Sequence, residues 1–133
     1  MTTDANYASV LLPADAEAPR LIVCERRGRW ALGLRRELAD TRLRVHETRS
    51  IAECWDQLAA APSSFVVAEL TGSTAEALLE RLGRLRRDFP LARVAVVSDR
   101  CAADYEWLIR EAGAVHFTCS PRRVGPLARL AAR

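Results

Sequence analysis

The chain has 133 residues, half of them hydrophobic and 28% charged, with a formal net charge of +3. That length supports one domain with a single core and no need of staples, and the composition excludes a disordered chain. No apolar run approaches the roughly 20 residues that span a bilayer, and the opening MTTDANYASVLLPADAEAP lacks the basic start and apolar stretch of a secretory signal, so a cytoplasmic location is expected.

All the positive charge comes from arginine, since the sequence contains no lysine. No ammonium is therefore available for catalysis or a Schiff base. The arginines pair as Arg26/Arg27, Arg35/Arg36, Arg86/Arg87 and Arg122/Arg123, spread over several segments. Tracking a nucleic-acid backbone needs a clustered basic stripe, so nucleic acid is not the expected partner. Cys24, Cys54, Cys101 and Cys119 lie far apart with no C-x-x-C pair, which argues against a zinc ribbon or a thioredoxin-like motif. Reduced thiols packed as small core residues are the expectation.

Residues 1–19 read as a mobile tail with one apolar island, Val10-Leu11-Leu12, and residues 20–133 as the folded domain. Leu21-Ile22-Val23 is a continuous apolar run, expected of a strand buried on both faces. From Arg27 to Ala39, Trp30, Ala31, Leu34 and Leu38 recur at helical spacing. Leu43 to His46 alternates as an edge strand would. Ser50 to Glu53 is a capping box, opening a helix with Ile51, Cys54, Trp55 and Leu58 on one side. Phe65 to Ala68 is the most strand-like run. Ser73 to Glu76 repeats the capping pattern before Leu78, Leu79, Leu82 and Leu85, in a helix that Pro90 stops. Val94 to Val97 predicts a fourth strand, Asp104 to Ala112 a helix closed by Gly113, and Val115 to Cys119 a fifth strand. A last helix is expected to start near Pro126.

Strands alternating with helices at this spacing predict an α/β fold of (βα)5 type, a doubly wound parallel sheet between two helical layers. In such sheets ligands gather at the carboxyl ends of the strands. Those ends carry Cys24, Glu25, Glu69, Ser98 and Ser120.

From Arg20 onward the chain resembles a response-regulator receiver domain of the CheY-like kind. The stretches that carry the resemblance are Leu-Ile-Val-Cys24-Glu25, Val-Val-Ala-Glu69-Leu, Val-Val-Ser98-Asp, and Ala112-Gly113-Ala114 through Phe117 to Ser120-Pro121. The resemblance implies a flavodoxin-like strand order 2-1-3-4-5 and a site of degenerate type. Ser98 holds the family's hydroxyl position, Pro121 the proline after the fifth strand, and Phe117 the aromatic position linked to activation. Cys24-Glu25 replaces the acidic pair that would hold Mg²⁺, Glu69 the phosphoacceptor aspartate, and Ser120 the lysine. Thr71-Gly72-Ser73 stands where Met-Pro would follow the acceptor.

Each departure weakens phosphoryl transfer. A thiol is a poor ligand for a hard cation that demands octahedral oxygen. Ser120 cannot supply positive charge to a migrating phosphoryl group. Glu69 is one methylene too long for the in-line geometry of an aspartate. Glu69 reads either as a partial, permanent stand-in for the phosphorylated state or as a drifted residue at a strand end. Glu25 and Glu69 should lie close together, which is costly unless Arg26, Arg27, Arg122 or Arg123 intervenes.

The expectation is thus a non-catalytic pseudo-receiver with no cofactor and no metal, acting on a protein partner or as a homodimer. The resemblance places the interaction face on the fourth helix, fifth strand and last helix, where Tyr105, Trp107, Arg110 and Phe117 lie, the last as core packing beneath it. The alternatives are a phosphoacceptor with relaxed site chemistry, or a small cysteine-dependent α/β enzyme built on Cys24. Against the latter, position 30 is Trp where a phosphatase loop would need Arg, and Glu25 would repel a phosphate. A site built from Cys24, Cys119, Glu25 and Glu69 has no metal-binding spacing. His46 and His116 read as structural residues within strands.

Overall fold

The computed structural model describes residues 18–98, 103–119 and 124–133, without the side chains of 103–105. The predicted tail falls almost wholly outside this range. Five strands form one parallel sheet: β1 Leu21–Cys24, β2 Val45–Thr48, β3 Phe65–Glu69, β4 Arg93–Val97 and β5 His116–Thr118. Their order is β2-β1-β3-β4-β5, as the resemblance implied. The helices between them are α1 Arg29–Glu37, α2 Ile51–Ala60, α3 Ala75–Gly83, a short α4 Leu85–Asp88, α5 Ala103–Glu111 and α6 Gly125–Ala132.

Alternation along the central strands divides the core in two. Leu21 and Val23 of β1, Phe65 and Val67 of β3, and Ala95 and Val97 of β4 face α1 and α6. There they meet Trp30, Ala31 and Leu34 of the one helix and Leu127, Ala128 and Ala131 of the other. Ile22 and Cys24, Val66 and Ala68, and Val94 and Val96 face the other way. They pack on Cys54, Trp55 and Leu58 of α2, Leu78 and Leu82 of α3, and Ile109 of α5. Phe117 of β5 is buried in this second layer.

Two elements differ from expectation. The edge strand β2 lies two residues later than Leu43–His46, because its register with β1 starts at Val45 opposite Leu21. The leucine-rich helix before Pro90 is broken at Arg84 (φ −107°, ψ 0°) into α3 and α4. Its start moves as well. Thr74, not Ser73, is the N-cap residue, and its hydroxyl donates to the Glu69 carbonyl at 3.1 Å rather than capping the helix. The capping box at Ser50 holds, with the Ser50 hydroxyl accepting from the Glu53 N–H at 3.1 Å.

Candidate functional site at the carboxyl edge

The register aligns Cys24 of β1 with Thr48 of β2 and Ala68 of β3, so Glu25 and Glu69 leave the sheet at the same edge. Strand alternation sends Cys24 and Glu25 to opposite faces. This parity decides what each residue does.

Glu25 follows Val23 onto the α1 side, where its carboxylate is only 3% exposed. Oε1 accepts from the Trp30 N–H at 3.0 Å and Oε2 from the Ala31 N–H at 2.7 Å. Both are first-turn amides of α1, which otherwise lack intrahelical partners, and the helix dipole favours a negative charge there. Gly28, the N-cap residue, supplies no side chain to do this and takes φ +82°. That left-handed conformation makes the turn that brings the amides back to Glu25. Glu25 is thus a remote helix cap.

Cys24 follows Ile22 onto the α2 side and is buried beside Cys54, with Thr48 adjacent. A hydrogen bond from Cys54 holds the Cys24 thiol below its ordinary value, against the opposing effect of burial. The same contact and burial push the Cys54 thiol up. The Thr48 hydroxyl also donates to the Val23 carbonyl at 3.1 Å. A nucleophile open to a substrate at the sheet edge is not what this packing provides.

Glu69 is the acidic group that faces the edge. It is 8% exposed, and its Oε1 accepts from the Arg26 N–H at 3.2 Å. With Arg26, Arg27 and Thr71 it lines a cavity of about 310 Å³. Of the four arginines considered as cover for the acidic edge, Arg26 and Arg27 border this cavity, and Arg122 and Arg123 lie outside the described residues. The loop beyond Glu69 is tied down by its own hydroxyls. The Thr74 Oγ1 accepts from the Thr71 N–H at 2.9 Å while donating to the Glu69 carbonyl.

Ser98 is buried at the end of β4, and its N–H donates to the Thr118 carbonyl at 3.0 Å. Ser120 lies outside the described residues. Cys119 stands in a disulfide, while Cys24 and Cys54 are free thiols. This corrects the expectation of a reduced thiol at Cys119.

The residues do not suit Mg²⁺. Glu25 is spent on two amides, Cys24 is a buried thiol on the other face, and Glu69 shares its cavity with two arginines. A hard cation needs several oxygens free to turn toward it. Among the described residues, no three His, Cys, Asp or Glu side chains converge as a metal site would require.

One acidic residue escaped sequence reasoning. Glu47 of β2 accepts from Arg35 at 2.6 Å and pairs with Arg49 at 3.1 Å, and the Arg35 contact holds its carboxyl below the usual value. Arg49 also donates to the Glu25 carbonyl at 3.2 Å. This network braces the β1–α1 turn from the edge strand. Its only sequence signal is a carboxylate within arginine-rich segments.

Of the proposed interaction face, Trp107 on α5 is 65% exposed, with Leu108 beside it and Val115 just before β5 also exposed. Arg110 pairs with Glu106 at 3.1 Å. Phe117 packs beneath, in the core. The Tyr105 side chain lies outside the described residues. No helix among the described residues is long and apolar enough to cross a membrane.

No family model and no curated protein sequence matches the chain. Solved structures do. A response regulator from Thermotoga maritima superposes with a TM-score of 0.71 at 23% identity, covering 86% of this chain and 94% of its own. A CheY-like protein from Pseudomonas aeruginosa PAO1 gives 0.65 at 18% identity, covering 87% and 94%. An orphan response regulator of H. pylori gives 0.65 at 16%, covering 86% and 94%. The chain has the CheY-like receiver fold.

Proposed function

We propose that this chain is a non-catalytic pseudo-receiver, a signalling domain that works by binding a protein partner or a second copy of itself and is not phosphorylated in the usual way. The observation that carries the reading is the fate of the two side chains ending β1. Where a phosphoacceptor site needs a pair of carboxylates around Mg²⁺, one position holds a thiol buried against Cys54. The other holds a carboxylate consumed by the Trp30 and Ala31 amides.

Two further features support it. The Glu69 carboxylate already lies in a cavity with Arg26 and Arg27, so negative charge is present there without phosphoryl transfer. Its single charge and two oxygens make it a partial substitute for a phosphate. Output then falls to a surface, and Trp107 with Leu108 and Val115 offers an aromatic anchor on α5 and β5. The structural neighbours named response regulators make two-component signalling the natural setting.

The test is incubation of the protein with Mg²⁺ and acetyl phosphate, followed by intact mass measurement. The mass should stay unchanged. A phosphoryl adduct mapped to Glu69 would overturn the reading in favour of a phosphoacceptor with relaxed chemistry.

A further inference from the structure

Cys24 and Cys54 are the free thiols among the described residues, and the fold packs them side by side. We propose that they form a dithiol oxidation site, which a small hydroperoxide such as hydrogen peroxide closes to a disulfide. The proposal goes beyond the pseudo-receiver reading and does not depend on it. The sulfur chemistry proceeds whether or not Glu69 accepts a phosphoryl group.

Three features of the fold build the pair. Alternation along β1 turns Cys24, like Ile22, toward α2. The register sets Cys24 opposite Thr48, the last residue of β2, and only Arg49 and Ser50 separate Thr48 from α2. The Ser50 cap then fixes the first turn of that helix. There the Cys54 N–H donates to the Ser50 carbonyl at 3.0 Å, and Cys54 turns inward with Ile51, Trp55 and Leu58. Cys24 keeps 4% of its surface exposed and Cys54 none. A disulfide brings two sulfurs from contact to about 2.05 Å. The pair sits where β1 ends and α2 begins, and element ends yield to such a shift more readily than their middles.

The two thiols are unequal, which gives each a role. The contact with Cys54 holds the Cys24 thiol below its ordinary value and Thr48 adds to this, while burial, Glu53 and Glu69 oppose it. The contact with Cys24 and burial push the Cys54 thiol up. The thiolate is the form that reacts, so Cys24, with the greater thiolate character and the exposed surface, is oxidised first. Its sulfur takes one oxygen of the peroxide, the other leaves as water, and Cys24 becomes a sulfenic acid. The Cys54 sulfur then attacks the Cys24 sulfur. The sulfenic hydroxyl departs with the Cys54 proton as a second water, and the S–S bond forms. Two thiols give up two electrons, and one peroxide is reduced to two waters.

The experiment treats the full, folded chain with hydrogen peroxide, quenches with catalase, then unfolds, alkylates and digests it with trypsin. Arg20 and Arg26 flank Cys24, and Arg49 and Arg81 flank Cys54, so the two fall on separate peptides. Those peptides should appear cross-linked, part on reduction, and lose their alkylation together. Circular dichroism before and after peroxide keeps the reaction assigned to the folded state. Cys54→Ser should stop the reaction at the sulfenic acid of Cys24, trapped as a dimedone adduct. Cys24→Ser should leave Cys54 fully alkylated. The wild-type peptide map stands alone if either variant fails to fold. Cys24 and Cys54 that both stay fully alkylated, at a peroxide dose that consumes free cysteine, would overturn the proposal and leave them as core packing. Cross-links from either one to Cys119, or oxidation of Cys24 to the sulfinic acid with no cross-link, would overturn it too.

Discussion

The turns that follow β1 and β3 leave the same edge of the sheet, each beginning at a glutamate, yet they put that glutamate to opposite uses. After β1, Gly28 lets the chain double back so that α1 presents two amides to Glu25, which becomes part of the scaffold. After β3, the Thr71 and Thr74 hydroxyls satisfy the loop themselves, and Glu69 keeps one backbone contact and a cavity in front of it. An acidic residue at a strand end therefore does not define a ligand site. The loop behind it decides whether the carboxylate is available.

This contrast can be broken by substitution. Glu25→Ala should destabilise the fold by about 2–4 kcal/mol, because it strands two buried amides and removes charge-assisted hydrogen bonds at a helix start. Glu69→Ala should cost no more than about 1 kcal/mol, as it removes one 3.2 Å contact and relieves a nearly buried charge. Urea denaturation of the two variants side by side decides the matter. Equal losses would mean that both glutamates serve the scaffold alike. Glu25→Gln, which keeps one acceptor oxygen, should fall between wild type and Glu25→Ala.

The Gly28 turn sharpens the same point. Gly28→Ala should cost about 1–2 kcal/mol, since a Cβ at φ +82° is strained and would sit 3.2 Å from the Glu47 Oε1. The loss should shrink in a Glu25→Ala background, where the cap that the turn serves is already gone. Additive losses in the double variant would show that the turn and the cap are independent.

These details explain why the scaffold was more legible in the sequence than the site. β1, β3 and β4 announce themselves because strands buried on both faces must be continuously apolar, and all five residues of β3 are buried. The edge strand β2 lies two residues later than the alternation at Leu43–His46 suggests, because its outer positions, His46 and Glu47, are polar and give no periodic signal against Leu43 and Val45. The split at Arg84 leaves the leucine spacing intact and so is invisible to it. Strand parity does separate Cys24 from Glu25 on paper. The partners it delivers them to, Cys54 and the α1 amides, depend on a turn and a helix placement that local spacing does not encode. Ser50 succeeded where Ser73 failed because a cap needs the residue before the helix to be extended. Ser50 is extended, whereas Thr74 is already helical.

A smaller effect concerns pH. His46 is held below 6.5 by burial and by Arg20 and Arg44, and His116 by burial and Arg110 against Glu106. The folded chain therefore resists protonation that the unfolded chain accepts once the pH drops below 6.5. Stability should be full above that pH and decline as the pH falls through the depressed values. Glu47, held below 4.5, adds a loss of the same sign only at lower pH. Denaturation at about pH 7.5 and about pH 5.5 should show this slope, and His46→Asn/His116→Asn should flatten it. A slope unchanged by the double variant would locate the acid sensitivity elsewhere.

The smallest expected change in stability separates scaffold from surface most cleanly. Trp107 is two-thirds exposed on α5, whereas Trp30 is fully buried against β1 and β3 and Trp55 lies under Arg81, whose guanidinium sits 5.9 Å from its ring. Trp107→Ser should leave stability within about 0.5 kcal/mol, as substitutions outside the core usually do. An exposed indole is a side chain of the kind that anchors interfaces. Static light scattering over a concentration series should therefore show association in the wild type that Trp107→Ser weakens, if the cover is a second copy. A monomeric wild type would rule out a second copy as the cover. A loss of stability like that expected for Glu25→Ala would show instead that Trp107 belongs to the fold, and the proposed face would be lost with it.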